Sequence, residues 1–170
     1  MKVFITGASG FIGKHVIKAV NRAGHKIVAS RLVNDKTENT QNNIQWLYAD
    51  LADLESFKPI LKYFNPDVVI HLAAISNDPM GNNFSDVTDE INSKASEEIA
   101  KKSKEAGVKK FIFASSCSMY GTTDNNKKKE SDSLNPLTAY AKSKIESEKH
   151  KTFLSSTTLQ RHFHHFPVSF

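Results

Sequence analysis

Cysteine is almost missing from this chain. Cys117 alone among 170 residues excludes an internal disulfide and any zinc cage built from cysteines. Long hydrophobic runs are missing too: nothing approaches the roughly 20 apolar residues of a membrane span, so no membrane partner is expected. The first apolar stretch begins at Lys2 and is too short for the core of a signal peptide. A reduced, cytoplasmic setting is the expectation. Tryptophan occurs once, as Trp46, and with the phenylalanines it fits core positions better than a stacking platform. Acids are outnumbered, 18 to 23, which leaves a net charge of +5 and a pI near 9.2. The lysines cluster at Lys101, Lys102, Lys104, Lys109, Lys110 and Lys127 to Lys129. No aromatic residues are interleaved with them and no helix-turn-helix or zinc pattern accompanies them. They read as a solvated helix face and a charged loop, and no nucleic-acid partner is expected.

What is present begins at once. Val3 to Ile5 reads as a buried parallel strand. It runs into Gly7, Gly10 and Gly13, and then into a segment with Phe11, Ile12, Val16, Ile17 and Val20 at helical spacing. A strand, a glycine turn and a helix make a dinucleotide-phosphate site. The glycines allow a sharp turn, a close approach of backbone N–H groups to pyrophosphate, and tight helix–strand packing. The helix N-terminus adds partial positive charge.

The rest of the chain alternates strands with helices. Strands are expected at Lys2–Thr6, His25–Ser30, Ile44–Tyr48, Val68–Leu72 and Phe111–Ser115. Helices are expected at Phe11–Ala23, Ser56–Phe64, Asp86–Ala106 and Leu137–Phe153, with Pro59 in the first turn of the second. Asn34–Asn43 is a polar loop where a crossover helix would otherwise stand, and a second loop surrounds Asn77–Gly81. The alternation predicts an α/β, Rossmann-type doubly wound parallel sheet of five strands in order 3-2-1-4-5, helices on both faces. The ligand crevice then lies between strands one and four. A single domain is expected over residues 1–153, followed by an atypical tail at 154–170.

Two further clusters carry chemistry. Tyr140 and Lys144 stand four apart and share a helix face. A neighbouring ammonium lowers a phenol pKa from near 10, which lets the pair exchange a proton while hydride moves at the same carbon. Phe111-Ile-Phe-Ala-Ser-Ser-Cys-Ser-Met-Tyr-Gly121 is a buried strand ending in hydroxyls at the ligand edge of the sheet. Cys117 reads as a small packed residue beside the site, and His71 as a structural strand end.

These features occur together with Ala49-Asp50-Leu51 and His71-Leu-Ala-Ala74. The conjunction resembles the extended short-chain dehydrogenase/reductases, the NAD-dependent epimerase/dehydratase family that includes the UDP-glucose 4-epimerases. The resemblance covers roughly residues 1 to 153. It implies NAD or NADP as cofactor and a nucleotide-sugar substrate. Gly7, Gly10 and Gly13 would hold the pyrophosphate, with Phe11 and Ile12 giving backbone contacts. Asp50 and Leu51 would bracket the adenine, and Ala73 and Ala74 would lie along the cofactor. Ser116 stands at the catalytic serine position. Tyr140 would be the acid/base, and Lys144 would tune it and hold the nicotinamide ribose. Family dimers pair the helix after strand four with the Tyr–Lys helix, and both are present, which leaves a homodimer open.

Two absences refine this reading. The family's sugar dehydratases carry an Asp-Glu pair after the catalytic hydroxyl, and here Cys117 and Ser118 stand there. That favours epimerisation or ketone reduction over dehydration. NAD-preferring members carry an acid at the end of strand two, and here Ser30 and Arg31 stand there, able to bind a 2′-phosphate and tilting the expectation toward NADP. The family's members are longer, and residues 154–170 do not align with the expected next strand, so the chain reads as C-terminally truncated. His162, His164 and His165 in that tail lack an acidic partner and no metal site is expected. The competing reading is a non-catalytic remnant or nucleotide-binding module without a substrate domain.

Overall fold

A computed structural model describes residues 1–32, 43–76, 85–121, 128–129 and 131–151. The expected loops at 34–43 and 77–81, residue Lys127 and the tail at 154–170 lie outside the described residues, Asn43 excepted.

Five parallel strands form one sheet: β1 (Lys2–Thr6), β2 (Lys26–Arg31), β3 (Ile44–Tyr48), β4 (Val68–His71) and β5 (Lys110–Phe113). Their order is β3-β2-β1-β4-β5, the doubly wound arrangement that the sequence predicts. Successive residues of a strand face opposite sides, and each side of this sheet has its own apolar layer. Phe4, Val28, Val69 and Phe111 pack on one side with Phe57, Leu61 and Ile99. Val3, Ile5, Ile27 and Ala29 pack on the other with Ile17. Both faces are covered, which explains why the strands read as continuous apolar runs.

Helix α1 (Phe11–Arg22) covers the second layer with Ile17, and the chain leaves it through Gly24 at φ +75°. The segment expected as a helix from Ser56 is less regular. It opens as a 3-10 turn at Leu54–Phe57, capped by the Asp53 side chain, and continues as a π-helical turn at Ile60–Phe64. Pro59 stands at the entry of that π turn, where its missing N–H costs nothing.

The long helix expected at Asp86–Ala106 is divided. α2 (Ser85–Asp89) and α3 (Ala95–Glu105) flank a π-helical turn at Glu90–Lys94. β5 ends at Phe113, not Ser115, and Cys117–Tyr120 forms a 3-10 turn. α4 (Ala139–Lys151) packs on the π turn, on α2 and α3, and on the 117–120 turn. No described helix is long and apolar enough to cross a membrane.

Candidate functional site

The strand order reverses between β1 and β4, the point beyond whose carboxyl strand ends open α/β sheets bind their ligands. Thr6 and His71 close the β1–β4 ladder. The Thr6 hydroxyl accepts from the N–H groups of Leu72 and Ala73, both at 3.2 Å. Its proton is thereby directed to His71 Nδ1 at 2.8 Å, which leaves His71 Nε2 to donate to Ser96 at 2.9 Å. His71 is a fully buried strut between β1 and α3, stacked on Phe113.

Beyond Thr6 the chain turns at Gly7, in the left-handed region at φ +64°. A Cβ there would lie 2.6 Å from the Ala73 nitrogen, so only glycine lets β1's exit lie against β4's exit. A Cβ at Gly13 would collide with the carbonyl oxygens of Gly7 and Ala8. Gly10 differs. A Cβ there meets only the Gly7 carbonyl oxygen, at 3.3 Å. Packing does not demand glycine at that point, and the missing side chain keeps the front of α1 open. Gly10 starts α1 in extended conformation, no side chain caps the helix, and its first turn holds no acid. Phe11 and Ile12 are exposed. The first N–H groups of a helix lack acceptors within it, so this cradle suits a pyrophosphate.

Ala73 and Ala74 are half-buried at the β4 exit. Asn92, fully buried in the π turn, anchors the next residue: its Oδ1 accepts from Ile75 N–H at 2.8 Å and its Nδ2 donates to Ile75 O at 2.9 Å. The same amide donates to Ser143 of α4 at 3.3 Å, while Ser147 donates to the Asn92 carbonyl at 2.8 Å. One amide therefore ties the β4 exit to the Tyr140 helix. The signal in the sequence was a lone amide at buried helical spacing with Ser96 and Ile99.

Asp50 is exposed and one carboxylate oxygen accepts from Ala52 N–H at 3.0 Å. Leu51 is buried in the first apolar layer. Arg31 ends β2 opposite Tyr48 of β3. Ser30 is only 3% exposed and pairs with Leu47, which packs in the first layer, while Trp46 packs in the second. Alternation along β2 therefore turns Ser30 and Arg31 to opposite faces, and the structure does not bring them together.

At the β5 end, Ser116 caps the 3-10 turn by accepting from Ser118 N–H, and its hydroxyl lies 2.8 Å from that of Ser118. Lys144 reaches this strand end from α4. Its ammonium donates to Ala114 O at 3.0 Å and lies over the rings of Phe113 (4.6 Å) and Tyr140 (5.5 Å). Burial pushes its pKa down to about 8, with Glu148 opposing the shift. A lysine poised near neutrality beside a tyrosine is suited to proton transfer. Cys117 is exposed, not packed. No cluster of three metal-ligating side chains occurs among the described residues.

The chain is similar to a family of known proteins. The profile of the NAD dependent epimerase/dehydratase family matches residues 3–156. A UDP-glucose 4-epimerase of Mycolicibacterium smegmatis is 28% identical over 155 residues, covering 87% of this chain and 49% of that protein. Methionine adenosyltransferase 2 subunit beta of Bos taurus is 30% identical over 148 residues, 87% of this chain and 42% of that protein. Among solved structures, UDP-glucose 4-epimerase of Thermotoga maritima with UDP-glucose superposes with a TM-score of 0.81 at 28% identity, covering 91% of this chain and 51% of that one. The Thermus thermophilus UDP-glucose 4-epimerase complex with NAD gives 0.81 at 26% identity, covering 91% and 50%. The chain thus spans about half the length of the curated relatives it matches.

Proposed function

The chain belongs to the NAD-dependent epimerase/dehydratase family, and from that premise we propose that it forms the cofactor-binding part of a cytoplasmic NAD(P)-dependent enzyme that epimerises or reduces nucleotide sugars. The observation that carries this reading is the turn at Gly7, pressed against Ala73, with Gly10 leaving the N-terminus of α1 open. Two relatives add support, since one structure holds NAD and another UDP-glucose. Backbone N–H groups at Phe11, Ile12 and Gly13 would hold the pyrophosphate, and Asp50 the adenine amine. Ala73 and Ala74 would flank the cofactor. The bound nicotinamide supplies the hydride chemistry. Ser116 Oγ would hydrogen-bond the reacting sugar oxygen, and Tyr140 Oη would pass its proton. The Lys144 ammonium would favour the phenolate and hold the ribose. The missing acid at the end of β2, with Arg31 in its place, supports a preference for NADP. A homodimer through α2–α3 and α4 belongs to the same reading.

Calorimetric titration with NADH tests it. The wild-type chain is expected to bind, and Gly10→Val, folded by circular dichroism, is expected not to. Equal binding by both proteins contradicts the assignment. A second reading, a nucleotide-binding module without chemistry of its own, is favoured by the relative named as a subunit.

A further inference from the structure

Helix α1 contains no acid from Phe11 to Arg22, and Lys14, Lys18 and Arg22 follow one another at four-residue steps. On a helix these three cations, Phe11 and His15 fall within one face about 100° wide. That face turns away from Gly13 and Ile17, which the sheet buries. All five residues are exposed, Phe11 at 83%. No ion pair joins Lys14, Lys18 or Arg22 to an acid among the described residues. Lys94, Lys101 and Lys149, by contrast, each meet an acid three or four residues away on their own segment. Like charges four apart repel along a helix, so α1 carries an excess of positive charge that nothing on the helix offsets. The Phe11 and His15 rings meet edge to face at 5.3 Å, and two aromatic rings thus stand in the open among the cations. The lysines at 101–110 have no such interleaving.

We propose that the outer face of α1 is a docking surface for single-stranded RNA. Lys14, Lys18 and Arg22 are spaced about 6 Å apart along the helix, the scale of successive phosphates on an extended strand. Phosphodiesters take the donors of lysine and arginine through charge-assisted hydrogen bonds. Exposed rings offer unstacked bases a platform that tolerates any sequence. A duplex hides its base faces, which selects a single strand, and RNA presents such bases in its loops and ends. An anionic membrane calls for a broad basic field, whereas this stripe is one residue wide and its two rings stand at one end. Lys18 and Arg22 lie about two and three turns beyond Gly10, so the surface is separate from the glycine turn and does not depend on a bound dinucleotide.

Fluorescence anisotropy of a labelled 12-mer oligouridylate, titrated with the full chain at several salt concentrations, tests this. Binding is expected, with a slope of about −2 for log affinity against log salt, roughly 0.7 for each of three phosphates. Lys18→Gln/Arg22→Gln, folded by circular dichroism, is expected to weaken binding about tenfold or more at low salt and to bring the slope to about −0.7. Phe11→Ala is expected to weaken binding roughly tenfold and leave the slope unchanged, because stacking releases no counterions. Lys101→Gln/Lys104→Gln is expected to bind as wild type does. Absence of binding, or binding indifferent to Lys18→Gln/Arg22→Gln, overturns the proposal. So does an equal loss in Lys101→Gln/Lys104→Gln, a preference for oligothymidylate, or capture by phosphatidylserine vesicles without binding of oligouridylate. NADH titration of Lys18→Gln/Arg22→Gln is expected to match wild type, which keeps this surface and the dinucleotide site separately testable.

Discussion

The Lys144 ammonium, buried in α4, donates to the carbonyl oxygen of Ala114 at 3.0 Å, two residues before Ser116. This contact ties the Tyr140 helix to the strand end that carries Ser116. It also predicts a pH dependence. Burial lowers the Lys144 pKa from 10.5 to about 8. Between those values the unfolded chain binds more protons than the folded one, so stability rises with pH across the window and is unaffected below it. Denaturation of wild type and Lys144→Met at pH 7 and pH 10 checks this. The wild-type curve should gain on the variant by on the order of a few kcal/mol. Parallel curves contradict the buried charge.

Gly7 and Gly10 should respond oppositely to alanine. Gly7→Ala combines a positive φ with a Cβ 2.6 Å from the Ala73 nitrogen. It should cost about 2–4 kcal/mol of stability. Gly10→Ala meets only one oxygen at 3.3 Å and should stay within about 0.5 kcal/mol of wild type while weakening the dinucleotide. Urea denaturation of the two variants separates them.

Asn92→Leu removes both bonds to the Ile75 backbone and leaves buried polar groups unpaired. A loss of about 2–4 kcal/mol is expected by chemical denaturation. A neutral outcome means that the β4 exit does not depend on this anchor.

The strand order, the layered core and the glycine turn were legible because apolar runs and glycines report local backbone demands directly. Tyr140 and Lys144 were legible from a four-residue spacing on one helix. Asn92 was not, because its role depends on a π turn and on serines 51 and 55 residues away. That Ser30 and Arg31 face opposite sides of the sheet was not legible, because sequence adjacency hides the alternation of faces along a strand. Trp46 reads as core and does pack there, yet one ring face carries Arg31, which only the β2–β3 register reveals.

Chemistry on a sugar needs the substrate held against the nicotinamide, and misplacement of about 1 Å costs on the order of a hundredfold. The 170-residue chain alone is therefore expected to bind dinucleotide without measurable turnover of UDP-, GDP- or dTDP-sugars. Joined to the C-terminal half of a family member, it should turn over, and Tyr140→Phe should reduce the rate roughly a hundredfold or more. Turnover by the short chain that depends on Tyr140 contradicts this.

The most direct test of dinucleotide binding is the map of backbone amide shifts on titrating NADH into the isotope-labelled chain. The largest changes are expected at Phe11, Ile12 and Gly13, with smaller ones at Ala73 and Ala74. A groove of about 530 Å³ lies at the opposite end of the sheet, lined by Asn21, Lys26, Gln45 and Phe64 among others. Shifts concentrated around that groove, or no shifts at the glycine turn at saturating NADH, would contradict the account.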